Sequence, residues 1–147
     1  MTTKSKVKND NIIEIKNLKK YYNLTSGILK KVNGQVRAVD DVSFNIPRGK
    51  TIGLVGESGC GKTTISKCIL RAVDPTAGDI FLNNENGSHN LATLSEGELR
   101  PLRREMQMIF QDPFSSLNPR MNLFDIVSEP LLLNGIKNRT ERQDRVE

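Results

Sequence analysis

The stretch TIGLVGESGCGKTT, residues 51–64, decides how this chain folds. It opens with a short apolar run, residues 51–55, and such a run next to a turn is typical of a buried central strand. Apolar residues after the turn then recur at the spacing of one helical face: Ile65, Cys68, Ile69, Ala72 and Val73. Asp74-Pro75 is predicted to end that helix. The order of strand, glycine-rich turn and helix predicts an α/β fold.

The turn itself, GESGCGKT at residues 56–63, matches the pattern G-x-x-x-x-G-K-[ST] in full. Glycines allow backbone conformations that a Cβ would block, so the amides of residues 58–64 can point inward as an anion-binding nest. The following helix adds partial positive charge at its N-terminus. The pattern therefore predicts a site for the phosphates of a nucleotide. A glycine-rich turn that only connects a strand to a helix is the alternative, and the Lys-Thr pair disfavours it.

Each position of the loop has an expected task. Lys62 should carry its charge to the β- and γ-phosphates, the Thr63 hydroxyl should coordinate Mg²⁺, and Thr64 should bond near the α-phosphate. The predicted nucleotide-binding residues of the loop are Gly56, Ser58, Gly59, Cys60, Gly61, Lys62, Thr63 and Thr64. The loop alone does not separate ATP from GTP, or a kinase from an ATPase.

Length and composition narrow the class of protein. The chain has 147 residues, enough for one domain, and no apolar run approaches the ~18 residues of a spanning helix. Residues 1–10 are polar and basic, which predicts a flexible tail rather than a signal peptide, and a cytoplasmic location. The net charge of +5 shows no basic stripe interleaved with aromatics, so no nucleic-acid partner is expected. Cys60 and Cys68 should be free thiols, and His89 a solvated loop residue.

Shorter patterns extend this reading along the chain. Alternation predicts strands at residues 13–18 and 42–46, joined by a loop over residues 23–35. Another strand is expected at residues 78–82, followed by a polar turn region at residues 83–90.

The remaining part of the chain should be mainly helical. Ser95 and Glu98 form a capping-box signature for a helix that runs to Arg104. Residues 106–110 alternate as a strand, and residues 122–133 and 139–147 have helical character.

The glycine loop and its approach, AVDDVSF at residues 38–44, resemble those of the ATP-binding subunits of ABC transporters. The string MIFQDP at residues 108–113 is similar to the Q-loop of that family. The resemblance implies that Gln111 touches the Mg²⁺ and the attacking water, and links nucleotide to the membrane subunit. A glutamine amide suits this role because it both donates and accepts hydrogen bonds. Lys62 and Gln111 are thus the expected catalytic residues, and Thr63 and Gln111 the expected metal ligands.

The string QDPFSSLNPRM, residues 111–121, is similar to the oligopeptide, dipeptide and nickel importer branch of the family. The segment LSEGELRPLRR, residues 94–104, resembles the same branch, so the likeness extends over residues 11–147. Tyr22 matches the family position whose aromatic ring stacks on adenine, and base stacking on a flat ring is a general recognition device. Tyr21 could supply the ring instead. Val39 is expected in the same pocket, or as an ordinary core residue.

One part of the sequence imitates a second motif. Residues 94–98, LSEGE, look like the family signature LSGGQ, yet they precede the Q-loop, whereas the signature follows it. Glu96 would also put a carboxylate near the γ-phosphate. The helix cap explains Ser95 and Glu98 better. The signature, the strand ending in Asp-Glu and the switch histidine do not occur between Asp112 and Glu147. Hydrolysis by this chain alone is therefore doubtful.

These patterns together predict an incomplete P-loop NTPase core of α/β class, with an antiparallel β subdomain and the start of a helical subdomain at residues 112–147. The resemblance implies the N-terminal part of an ATP-hydrolysing subunit at the cytoplasmic face of the membrane. Its expected partners are a second ATP-binding subunit and membrane-spanning permeases, which residues 114–131 would face. The alternatives are a nickel importer of the same branch, an exporter ATPase, and a non-catalytic nucleotide-binding module. An unrelated P-loop kinase or GTPase is disfavoured.

Overall fold

The computed structural model describes residues 10–26, 31–112 and 117–147. It divides into two compact units, residues 1–103 and residues 104–147. The predicted tail at residues 1–10 lies outside the described residues except for residue 10. The predicted partner-facing segment at residues 114–131 is described from residue 117 onward.

An antiparallel sheet of four strands dominates the first unit. The strands are β1 (Asn11–Ser26), β2 (Lys31–Pro47), β3 (Ala77–Asn84) and β4 (Gly87–Asn90), in the order β2-β1-β3-β4. Ile15 at the centre of β1 lies opposite Phe44 of β2 on one side and Ile80 of β3 on the other. The predicted alternation therefore fixes the register, because a slip of one residue would turn the apolar side chains to the other face.

Two helices complete the first unit. They are α1 (Lys62–Ile69) and α2 (Glu96–Leu102), followed by a 3-10 turn at Arg103–Glu105. The buried apolar residues come from the sheet, from both helices and from the turn after β4: Ile13, Ile15, Leu18, Val39, Ile65, Cys68, Ile80, Leu82, Leu91, Leu99 and Leu102. Fully burying an aliphatic side chain contributes about 1.5–3 kcal/mol, so this set is the main source of the unit's stability.

The second unit is helical where it has regular structure. It contains α3 (Leu123–Leu133) and α4 (Arg139–Val146). Asn122 caps α3 by accepting a hydrogen bond of 2.8 Å from the Asp125 amide. The guanidinium of Arg142 in α4 lies 5.9 Å from the ring centre of Phe124 and 3.3 Å from the Ser128 hydroxyl. Contacts between side chains thus hold the two helices together. Among the described helices, none has the length and apolarity to cross a membrane.

Two predicted strands are absent. Residues 51–55 and 106–110 have no strand pairing in the described chain, and Val55 and Ile109 are 94% and 96% exposed. The prediction was wrong for this structure because a central strand needs partners along both edges, and no described residue supplies one. The apolar side chains of these two segments therefore have no neighbouring strands to pack with among the described residues.

Other boundaries also differ from expectation. β1 and β2 extend into residues 23–26 and 31–35, because the long cross-strand ladder continues where a loop was predicted. The helix α1 ends at Ile69 rather than at residue 73, and Arg71 adopts a positive φ of 51° in the turn beyond it. His89 lies in β4 opposite Leu82, and its Nε2 is shielded from solvent with no partner among the described residues. The expectation of a solvated histidine was therefore wrong.

Candidate nucleotide site

The glycine loop keeps a sharp bend although residues 51–55, which precede it, do not form the predicted strand. Gly59 and Gly61 have φ values of +82° and +96°, which residues with a Cβ rarely adopt. Gly61 is also the N-cap of α1, so the loop leads directly into the helix. No side chain caps this end, and the first turn contains no acidic residue. The amides and partial positive charge of this helix end are therefore not offset by a capping side chain or by a carboxylate in the first turn.

The Lys62 ammonium group lies against the loop's own backbone. Its Nζ donates hydrogen bonds of 2.7 Å to the Gly56 carbonyl and 2.6 Å to the Glu57 carbonyl, and lies 3.5 Å from the Cys60 sulfur. An ammonium group has three N–H donors, and sulfur is a weak acceptor. Two strong bonds thus hold the positive charge at the loop while one donor has only a weak partner.

The loop residues differ in exposure. Gly61 is buried, whereas residues 56–60 and Thr63 are exposed and Thr64 is half-buried. The Thr63 hydroxyl has no side-chain hydrogen bond within the part of the chain that the structure describes. Cys60 and Cys68 are free thiols, as predicted, and burial raises the pKa of the Cys68 thiol.

A bulge in β2 supports the loop from behind. Lys20 of β1 lies opposite Val39, but the next residue, Tyr21, lies opposite Arg37, so Ala38 is the extra residue. A Cβ placed on Gly61 would lie 2.2 Å from the Ala38 carbonyl oxygen and 3.8 Å from a Val39 methyl carbon. Only glycine permits this close approach between loop and sheet. Val39 is 3% exposed and forms part of the packing behind the loop.

The two tyrosines at the predicted stacking position have different surroundings. Tyr21 donates a hydrogen bond from its hydroxyl to Asp40, and the Arg37 guanidinium lies 5.6 Å from its ring centre. Tyr22 is 40% exposed, with the Lys20 ammonium 4.9 Å from its ring centre. Tyr22 therefore offers the more accessible ring for a base.

Gln111 belongs to the second unit, in non-regular backbone, and its side chain is exposed. Its predicted contact with the phosphate site stays a prediction. In the described residues, no group of three or more His, Cys, Asp or Glu side chains could hold a metal ion.

Residues 94–98 form a helix cap, as predicted. The Glu98 carboxylate accepts hydrogen bonds of 2.6 Å from the Ser95 hydroxyl and 2.9 Å from the Ser95 amide. These bonds hold the pKa of Glu98 below its ordinary value. Ser95 is thus engaged at the start of α2, which agrees with the rejection of a signature motif here.

Sequence reasoning missed Arg37, Ala38 and Asp40 as parts of this region. No periodic pattern marks a β-bulge, and a surface Arg-x-x-Asp spacing is common. The sequence offered one signal for this region: the tyrosine pair and the segment AVDD at residues 38–41 both precede the glycine loop.

A glycine loop that holds a lysine ammonium group at a helix N-terminus, beside an antiparallel sheet, places the chain among the P-loop proteins of α/β class. The ABC transporter family model matches residues 39–147, and the chain belongs to this family.

Individual relatives agree with the family. The oligopeptide transport ATP-binding protein AppF of Bacillus subtilis is 42% identical over 139 residues, which are 94% of this chain and 41% of AppF. A putative peptide import ATP-binding protein of Brucella ovis is 46% identical over 134 residues. The aligned residues cover 91% of this chain and 39% of the Brucella protein. The chain therefore spans about two fifths of the length of these relatives.

A solved structure shows the same fold. The dimeric, post-hydrolysis structure of the ATP-binding cassette MJ0796, bound to ADP and Pi, matches with a TM-score of 0.71 and 26% identity. The match covers 91% of this chain and 53% of that one.

Proposed function

We propose that this chain binds ATP through residues 56–64, as part of an ATP-hydrolysing subunit of an ABC importer for oligopeptides or dipeptides. One observation carries the proposal: the Lys62 ammonium is held at the inner carbonyls of a glycine loop that ends on an uncapped helix N-terminus. This arrangement places an ammonium group and an uncapped helix N-terminus at one exposed bend, which suits a polyphosphate.

The loop residues would divide the phosphate contacts between them. The amides of Gly59 and Gly61 and those of the first turn of α1 are the candidate donors to phosphate oxygens. The Cys60 amide lies 3.4 Å from the Glu57 carbonyl and would exchange that long hydrogen bond for one to a phosphate oxygen. Lys62 has one weakly engaged N–H and can turn it toward the β- and γ-phosphates. A charge-assisted hydrogen bond of this kind is about twice as strong as a neutral one.

The residues present fit a magnesium ion bound together with a nucleotide. Mg²⁺ keeps several waters and takes few protein ligands, and when bound it neutralises charge on the phosphates. The exposed Thr63 hydroxyl is the candidate ligand from the first unit. The Gln111 side-chain oxygen is the other proposed ligand, and Lys62 and Gln111 are the two proposed catalytic residues.

The base would lie on Tyr22. A cation lies over each of the two tyrosine rings, but Tyr22 is the more exposed residue, so we assign stacking to Tyr22. Val39 would act by packing behind the loop rather than by touching the base, because it is buried.

The activity of the whole subunit rests on the relatives. Two of them are named as ATP-binding proteins of peptide transport or import, and MJ0796 is a dimeric cassette. We propose that the full subunit pairs with a second ATP-binding subunit and binds membrane-spanning permeases. It would lie at the cytoplasmic face of the membrane as a peripheral protein. Leu123 and Val127, one helical turn apart on α3, are exposed and suit a partner surface.

Calorimetric titration of the chain with ATP, with and without Mg²⁺, tests the proposal. We expect saturable binding that Mg²⁺ strengthens in the wild type. In Thr63→Val, the affinity without Mg²⁺ should be unchanged and the strengthening by Mg²⁺ should be lost, with Thr93→Val, outside the loop, as the control. A wild-type chain that binds no ATP would contradict the proposed function. Equal strengthening in Thr63→Val would contradict the metal role.

A further inference from the structure

A polar cluster of Tyr21, Arg37 and Asp40 joins β1 to β2 beside the candidate base site. The Tyr21 hydroxyl donates to the Asp40 carboxylate, and the Arg37 guanidinium lies 3.4 Å from the same carboxylate and 5.6 Å from the Tyr21 ring centre. The hydrogen bond raises the pKa of Tyr21 and lowers that of Asp40. At neutral pH the phenol therefore stays a donor and the carboxylate stays ionised.

The cluster spans the bulge at Ala38. Arg37 precedes the bulge on β2 and Asp40 follows it, while Tyr21 contacts both from the opposite strand. A bulge leaves its extra residue without a ladder partner and disrupts the ladder locally, so side-chain contacts across it can help to hold one geometry. These three residues supply such contacts on both sides of Ala38.

The bulge connects the two halves of the candidate nucleotide site. On one side the Ala38 carbonyl lies against Gly61 of the phosphate loop. On the other, Tyr22 directly follows Tyr21 along β1. The phosphate loop has its own anchors, the Lys62 bonds and α1. Tyr22 is placed by β1, whose preceding residue is held on one side by Asp40 and Arg37 and on the other by the Thr76 hydroxyl, 2.9 Å from the Tyr21 amide.

We propose that Tyr21, Asp40 and Arg37 are positioning residues that fix the Tyr22 ring relative to the phosphate loop, and so give the site its preference for a nucleotide over a bare polyphosphate. This inference rests on the proposed function. Lys20 adds to the arrangement, since its ammonium lies 4.9 Å from the Tyr22 ring centre and covers one ring face. The base therefore stacks on the other face.

The test compares two ligands, ATP and inorganic tripolyphosphate, on the full chain. Tyr21→Phe removes only the hydroxyl group. We expect it to weaken ATP binding about 2- to 10-fold, the range for losing one hydrogen bond, and to leave tripolyphosphate binding unchanged. Asp40→Ala should likewise weaken ATP binding and leave tripolyphosphate binding unchanged. Gln35→Ala is the matched control, because it removes a 3.2 Å hydrogen bond to Asn23 in the same hairpin, away from the bulge.

The outcomes separate the two proposals. If the wild type binds neither ligand, the proposed nucleotide function fails and this inference fails with it. If the wild type binds both, and Tyr21→Phe weakens neither or weakens both equally, the nucleotide function stands and the positioning role is overturned. The same holds if Gln35→Ala reproduces the split, because any loosening of the hairpin would then suffice.

Discussion

The four-stranded sheet and the segment at residues 51–60 lie in the same unit but differ in how they are held. Leu18 and Ile80 of the sheet are fully buried, each between paired strands. Val55, one residue before the glycine loop, is 94% exposed although its pattern is that of a buried strand. The sheet obtains its partners from hairpins and antiparallel neighbours within the described residues, whereas the segment's partners would have to come from elsewhere.

The comparison shows which features are local. The bend at residues 56–61 forms without the strand before it, because positive φ values at glycines, the Lys62 bonds and the start of α1 are short-range. A central strand is not short-range, since its hydrogen bonds and its covering faces belong to other elements. The bend of the phosphate loop can therefore form although residues 51–55 pair with no described strand.

The largest expected effect contrasts the two regions directly. Leu18→Ala should lower the free energy of unfolding by about 2–5 kcal/mol, because it leaves a cavity in the core. Val55→Ala should change it by less than about 0.5 kcal/mol, as for other exposed sites. Urea unfolding followed by circular dichroism measures both. A cost for Val55→Ala close to that for Leu18→Ala would show that the segment is packed.

A smaller effect distinguishes two glycines of the loop. Gly59→Ala meets no neighbour within 4 Å and should cost about 1–2 kcal/mol for its positive φ alone. Gly61→Ala adds the close approach to the Ala38 carbonyl and should cost about 1–3 kcal/mol more. Thermal unfolding of the pair tests this. If Gly59→Ala and Gly61→Ala lower the free energy of unfolding equally, the bulge does not support the loop.

The smallest effect concerns the cap of α2 and depends on pH. The pKa of Glu98 is lowered from 4.5 by its bonds from Ser95, so its contribution is present above pH 4.5 and is lost as pH falls through the lower value of the folded state. Glu98→Gln should therefore be less stable than wild type at pH 7, with the gap closing on acidification. Thermal unfolding at several pH values measures this gap, and a gap that does not change with pH would contradict the assignment.

The same division between local and long-range features decided how well the sequence could be interpreted. The bend of the glycine loop, the start of the helix after it and the Ser95–Glu98 cap depend on neighbours in sequence, and each was predictable. The predicted strands at residues 13–18, 42–46 and 78–82 also form, because each finds its partner strand among the described residues. The unpaired residues 51–55 and 106–110 were not, because alternation and apolarity describe a preference and not the availability of partners. The Ala38 bulge was not predictable for a related reason: its position depends on the register of two long strands.

The central claim, that Lys62 holds its charge for a phosphate, is tested most directly by the ATP affinity of Lys62→Ala. Losing charge-assisted hydrogen bonds should weaken ATP binding about 10- to 150-fold, while circular dichroism shows the fold retained. Lys67→Ala, in the last turn of the same helix, is the matched control and should bind ATP as the wild type does. Unchanged ATP affinity in Lys62→Ala, or an equal loss in Lys67→Ala, would contradict the account.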